Sequence, residues 1–152
     1  MTKAALPPEI VSLFDGTALD AKRGVALIVA TVDADGWPHT SFLGPGELLV
    51  RDEARLAFLL WPSSGTAANV DREGRAALFF AAAGAVWEAR VTAVAAADGD
   101  GPTRRYEAEL VTIRRHAAPY AKVTGLVGYR LLEPDAVVAR WRAQIERLRI
   151  AV

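Results

Sequence analysis

The sequence predicts a mainly β chain, a sandwich or barrel of short antiparallel strands flanked by helices. Three observations predict it. Short apolar segments rich in β-branched residues recur at intervals of about 8–12 residues. Turn signals separate them: Asp33-Ala34-Asp35-Gly36, Gly44-Pro45-Gly46 and Asp98-Gly99-Asp100-Gly101-Pro102. The one extended helical stripe lies at the C-terminal end. A closed barrel suits such a chain because closure removes sheet edges.

The elements follow in order. Residues 8–15 read as a short helix, with Pro7 and Pro8 at its start, Gly16 as its stop, and Ile10, Leu13 and Phe14 on one face. Residues 25–43 read as a hairpin turning at Asp33–Gly36, where Gly36 supplies positive φ. Pro38 removes one ladder donor and belongs at a strand start or an edge. Residues 47–51 and 55–61 are two further strands. The loop after Trp61 feeds a short helix ending at Gly74, with Ser63 or Ser64 as its N-cap. Residues 75–83 and 85–97 are strands joined at Gly84. Residues 103–116 fit a helix face through Tyr106, Leu110 and Ile113, or a strand returning across the preceding turn; the strand is favoured. Residues 124–132 read as another strand. Residues 134–150 form the last helix, with Pro134 in its first turn, Val138, Trp141, Ile145 and Leu148 as the apolar stripe, and Arg140, Arg142, Arg147 and Arg149 on its polar sides. No linker divides the chain, so one domain is expected over 1–152.

Composition narrows the function classes. The 152 residues are 52% hydrophobic and 24% charged, which suits a folded domain rather than disorder. Lys+Arg and Asp+Glu are 18 each, so the formal net charge is zero. A nucleic-acid partner, which favours a basic excess, is not expected; self-association is less opposed. With no Cys, disulfides, thiolate metal sites and a Cys nucleophile are excluded. His39 and His116 are the only histidines, and nothing has metal-ligand spacing, so no metal is expected. The longest apolar runs, about ten residues, are too short to span a membrane. The first residues lack a signal-peptide core, and a cytoplasmic protein is expected.

Catalytic motifs are sparse. The chain has no nucleophile elbow, no phosphate loop with its Lys and no dinucleotide glycine fingerprint. Asp33 with Asp35, and Asp98 with Asp100, sit in turns, where they serve turn geometry. No catalytic residue is assigned. One segment stands out: Trp61-Pro62-Ser63-Ser64-Gly65-Thr66-Ala67-Ala68-Asn69. It follows a strand end and opens a helix, so hydroxyls and free helix N–H groups converge where an anion, especially a phosphate, can bind. Trp61 could cover a planar ring. The alternative is an ordinary serine cap beside a core tryptophan.

The stretch Ala30-Thr31-Val32-Asp33-Ala34-Asp35-Gly36-Trp37-Pro38-His39-Thr40-Ser41 resembles the opening hairpin of the pyridoxamine 5'-phosphate oxidase-like, FMN-binding split-barrel family, which reads Ala-Thr-x-x-x-x-Gly-x-Pro-x-x-Ser there. Ser64-Gly65-Thr66-Ala67-Ala68-Asn69 is similar to the family's Ser-x-Lys-x-x-Asn segment. The resemblance covers residues 24–132. It implies a six-stranded antiparallel split β-barrel, a homodimer, and FMN in clefts at the dimer interface. By matching position, Ser64 and Thr66 fall on the cofactor phosphate, with Ser63 beside them and Asn69 supporting the loop. Ser41 and Phe42 lie beside the flavin, and Trp61 ends the strand under it. Thr66 stands where many relatives place Lys. Loss of that charge-assisted contact costs about 1.5–3 kcal/mol, and Arg72, Arg51 and Arg55 are the candidates to replace it. The extra basic residues of a true pyridoxamine phosphate oxidase are not found, so vitamin B6 oxidation is not expected. The function expected is an FMN-dependent oxidoreductase acting on a small molecule the residues do not name. The alternatives are a non-catalytic module holding flavin, haem (through His39) or another flat ligand, and a dimeric barrel without ligand.

Overall fold

The computed structural model describes residues 3–98 and 101–151. Its seven strands are β1 (Leu27–Val32), β2 (Pro38–Leu43), β3 (Leu48–Val50), β4 (Arg55–Leu60), β5 (Arg75–Ala82), β6 (Ala85–Ala96) and β7 (Arg104–His116). Three α-helices accompany them: α1 (Pro8–Leu13), α2 (Gly65–Glu73) and α3 (Pro134–Arg149). The strands form one antiparallel sheet in the order β2-β1-β5-β6-β7-β4-β3, curled into a half-barrel.

Local chemistry explains the turns. Asp33 Oδ1 accepts the N–H groups of Asp35 and Trp37, and Gly36 takes φ +86°, so the β1–β2 hairpin closes where the Asp-Gly signal stands. Ala83 and Gly84 both take positive φ between the paired ends Ala82 and Ala85, the geometry of a two-residue type I′ turn. The 103–116 segment is almost wholly strand, pairing with both β6 and β4.

Two apolar clusters hold the sheet. Inside the curl, Leu27, Val29, Leu48, Phe58, Leu78 and Phe80 pack against Ile10 and Phe14 of the N-terminal segment and Ala67 and Val70 of α2. Outside β3 and β4, Leu49, Ala57 and Leu59 pack under Val138, Trp141, Ile145 and Leu148 of α3. Strand β4 is therefore covered on both faces, which is why Leu56–Leu60 is apolar without alternation. Among the described residues no helix covers the outer face of β1, β2 and β5, where Val32 and Phe42 are exposed.

The structure departs from the sequence expectations in three places. The sheet has seven strands, not the six that the resemblance implies, with three-residue β3 at one edge beside β4. Residues 124–132 form no strand. Val127, Tyr129 and Leu131 are half-buried at a spacing of two, but the segment has no ladder partner among the described residues. The Tyr129 hydroxyl donating to Val25 O (2.8 Å) and Val123 N–H donating to Gly84 O (2.9 Å) hold it instead. The outer helices end earlier than expected, at Leu13 and Arg149. The expected 98–102 turn falls partly outside the described residues. Among those residues no helix is long and apolar enough to cross a membrane.

Candidate functional site

The head of α2 is set by Ser64. Its backbone is extended (φ −77°, ψ 152°), its Oγ accepts the Ala67 N–H (3.0 Å), and its hydroxyl donates to Trp61 O (2.8 Å). The helix closes at Gly74 (φ +67°), whose N–H returns to Val70 O. Ser64 thus acts as the cap, and its single proton is already spent. Among the described residues the backbone N–H groups of Gly65 and Thr66 have no acceptor and are left as donors at a positive helix end.

Two contacts fix α2 on the β1–β2 hairpin. Thr66 Oγ1 and Ser41 Oγ are 2.9 Å apart and share one hydrogen bond, so one hydroxyl proton of the pair stays free. Asn69 Nδ2 donates to Thr31 Oγ1 (3.0 Å), while Asn69 Oδ1 accepts from Arg72 (3.2 Å). Asn69 therefore positions the helix. His39 pairs in register with Thr31, and its ring lies against Gly65, where an added Cβ would stand 3.0 Å from Cε1.

A cleft of about 210 Å³ opens beside this corner. Ser41, Phe42, Trp61, Ser64 and Thr66 form one side; Glu47, Thr103, Arg140 and Gln144 form the other. Phe42 and Trp61 are 57% and 56% exposed, and Phe42 packs T-shaped against Tyr129 (ring centroids 5.8 Å apart), so both rings keep open surface for a flat ligand. Of the expected site residues, the cleft brings together Ser41, Phe42, Trp61, Ser64 and Thr66; Asn69 sits behind it and Ser63 does not line it.

The far side comes from α3. Trp141 is 1% exposed and lies over the β2–β3 connection. A Cβ on Gly44 would come within 2.6 Å of the indole, and one on Gly46 within 1.9 Å. Gly44-Pro45-Gly46, which reads in sequence only as a chain break, is the seat of this tryptophan. Glu47 Oε1 accepts the Gly44 N–H (2.9 Å). Burial pushes its carboxyl above the usual range, against the pull of that N–H and of the Arg140 charge. Tyr129 is pushed up to about 12, first by burial and then by the Glu47 charge.

The cations named from sequence do not reach this cleft. Arg51 binds Glu107 (2.8 Å) and Leu148 O (2.6 Å), Arg55 pairs with Asp52 (2.8 Å), and Arg72 serves Asn69 and Val32 O. Arg140, Gln144, Glu47 and Thr103 are the cleft residues that sequence reasoning missed as a site. Arg140 was visible only as part of a helix's polar side. Larger concavities lie elsewhere, among them about 720 Å³ beside Arg51 and Glu107, about 540 Å³ over Ala30, Ala77 and Val91, about 510 Å³ beside Arg115 and Lys122, and about 470 Å³ beside Asp52 and Arg55. None of these is lined by the head of a helix, which sets the cleft beside α2 apart from them.

Residues 21–138 match the family profile described as pyridoxamine 5'-phosphate oxidase. The chain belongs to this family. A relative over nearly its whole length is the uncharacterized protein YclD of Bacillus subtilis (strain 168), 28% identical over 143 residues, 92% of this chain and 93% of YclD. Two solved structures share the fold. A candidate pyridoxamine 5'-phosphate oxidase from Lactobacillus delbrueckii superposes with a TM-score of 0.58 at 20% identity, over 75% of this chain and 97% of its own. An FMN-binding protein from Syntrophomonas wolfei gives 0.53 at 10% identity, over 72% and 89%. In this member of the pyridoxamine 5'-phosphate oxidase family the profile spans every strand and α2 but stops at Val138, inside the first turns of α3.

Proposed function

We propose that this protein binds FMN in the cleft between α2 and α3 and works as a flavin-dependent oxidoreductase on a small molecule. The observation that carries this is the pairing of a capped helix N-terminus with two half-exposed aromatics, Phe42 and Trp61, in one cleft of a chain of this family. The donor set fits a phosphate: the Gly65 and Thr66 N–H groups at the helix head and one proton of the Ser41–Thr66 pair are donors that an oxyanion takes. Thr66 and Ser41 act directly in this reading, Ser64 by holding the helix head open, and Asn69 by fixing α2 to β1. Phe42 and Trp61 flank the ring. Bound flavin supplies the hydride and electron chemistry, and the protein supplies orientation and electrostatics.

The cleft of one chain is smaller than the roughly 300–1,000 Å³ of ligand pockets. A second copy completing it, with the uncovered outer face of β1 and β2 beside it, is part of the proposal. So is a cytoplasmic location, where a reduced nicotinamide donor is at hand.

The test is equilibration of the purified protein with FMN, then desalting and a visible spectrum. Retained flavin bands, reducible by a nicotinamide donor and reoxidised by an acceptor, are expected. A colourless protein with no shift in melting temperature on adding FMN overturns flavin binding. Retained flavin that no donor reduces leaves a carrier instead of an enzyme.

A further inference from the structure

Residues 140 and 144 stand one helical turn apart on α3, so their side chains share a face. The buried stripe of Val138, Trp141, Ile145 and Leu148 fixes how the helix is turned. With Trp141 seated over Gly44 and Gly46, Arg140 and Gln144 face the cleft. Two facts bear on this pair. Arg140 is the arginine that lines the cleft, and like Arg114, Arg115, Arg130 and Arg142 it makes no hydrogen bond or ion pair among the described residues, whereas Arg51, Arg72, Arg105 and Arg147 are committed. Gln144 Oε1 is buried with no partner among the described residues. An orphaned buried acceptor costs about 1–3 kcal/mol, so a ligand that donates to it is favoured. Neither residue lies in the segment that matches the family profile, which ends at 138.

We propose that Arg140 supplies the positive charge missing at Thr66, and that Gln144 receives a hydroxyl of the same ligand. A guanidinium and two backbone N–H groups suit a phosphate; a carboxamide oxygen beside them suits a neighbouring alcohol. The ligand class this wall selects is therefore a phosphate ester of a polyol, such as the phosphorylated side chain of FMN. This rests on the flavin reading above. Glu47 shares the cleft, and the Arg140 charge acts on its carboxyl. Without ligand, Arg140 offsets that carboxylate; with ligand, the phosphate takes its place.

The experiment compares FMN with riboflavin, which lacks the phosphate, by fluorescence titration of the full chain. Wild type should prefer FMN. Arg140→Gln should weaken FMN by roughly ten- to a hundredfold, the worth of one charge-assisted contact, and leave riboflavin within about threefold. The FMN affinity of wild type should also fall with salt more steeply than that of Arg140→Gln. Arg140 is exposed, and melting curves check that the variant folds. Should it not fold, Arg140→Lys, which keeps the charge without the bidentate fork, must show a smaller FMN-selective loss. Equal FMN affinity in wild type and variant, or equal loss of both flavins, overturns the Arg140 assignment and leaves flavin binding intact. A wild type that binds neither flavin overturns both.

Discussion

On one side of the cleft, Ser64 and Thr66 stand at the head of α2 with their hydroxyls engaged by Trp61 O, Ala67 N–H and Ser41. On the other side, Arg140 and Gln144 stand on α3 without partners among the described residues. The α2 wall has the sequence of a binding motif, yet much of its hydrogen-bonding capacity builds the helix. The α3 wall has the sequence of ordinary polar surface, yet its capacity is free. Recognition depends on donors and acceptors left over after folding, and a residue string does not show what is left over.

The largest effect tests whether the α3 wall depends on its tryptophan. Trp141→Ala removes a fully buried indole above Gly44 and Gly46 and should destabilise the protein by about 3–5 kcal/mol in urea unfolding. Where the variant is still folded, FMN affinity should fall with it, because Arg140 and Gln144 lose their setting. A loss under about 1 kcal/mol would mean that the helix is peripheral and that the two walls are independent.

A smaller change separates capping from binding. Ser64→Ala should cost about 1 kcal/mol of stability, the usual worth of a serine N-cap. Its effect on FMN should stay within about threefold, since the Ser64 proton already serves Trp61 O. Arg140→Gln should do the reverse, costing affinity and little stability. A Ser64→Ala variant of unchanged stability that binds FMN much more weakly would move Ser64 from scaffold to ligand contact.

The same contrast explains what could be read from sequence. The Asp33–Gly36 hairpin, the Ser64 cap and the buried stripe Val138, Trp141, Ile145 and Leu148 were legible because each is a local rule of turn, cap or period. The 103–116 segment was legible only as a choice, since its apolar residues fit both periods. Residues 124–132 show why period is not pairing: alternation marks extended chain, but a strand also needs a free neighbouring edge. Gly44-Pro45-Gly46 and Arg140 were illegible as a seat and a site wall. Both roles arise only when α3 docks across some ninety residues of intervening chain, roughly the separation over which local rules carry no information.

The smallest effect concerns the one acid between the two walls. Burial raises the Glu47 carboxyl above its usual range, with the Gly44 N–H and the Arg140 charge opposing. A carboxyl whose folded pKa exceeds its unfolded one favours the folded state most when protonated. That contribution is complete below the unfolded value, about 4.3, and is lost as pH rises through the higher folded value. Glu47→Gln cannot titrate, and its amide oxygen can still accept from Gly44 N–H. The variant and wild type should therefore melt together near pH 4, with Glu47→Gln becoming the more stable as pH rises to about 7. Removing the carboxylate should also free Arg140 for an incoming phosphate, tightening FMN modestly and riboflavin not at all. A melting difference that does not change with pH would show that burial of Glu47 carries no cost. Tightening of both flavins alike would show that Glu47 screens the ring instead of competing for Arg140.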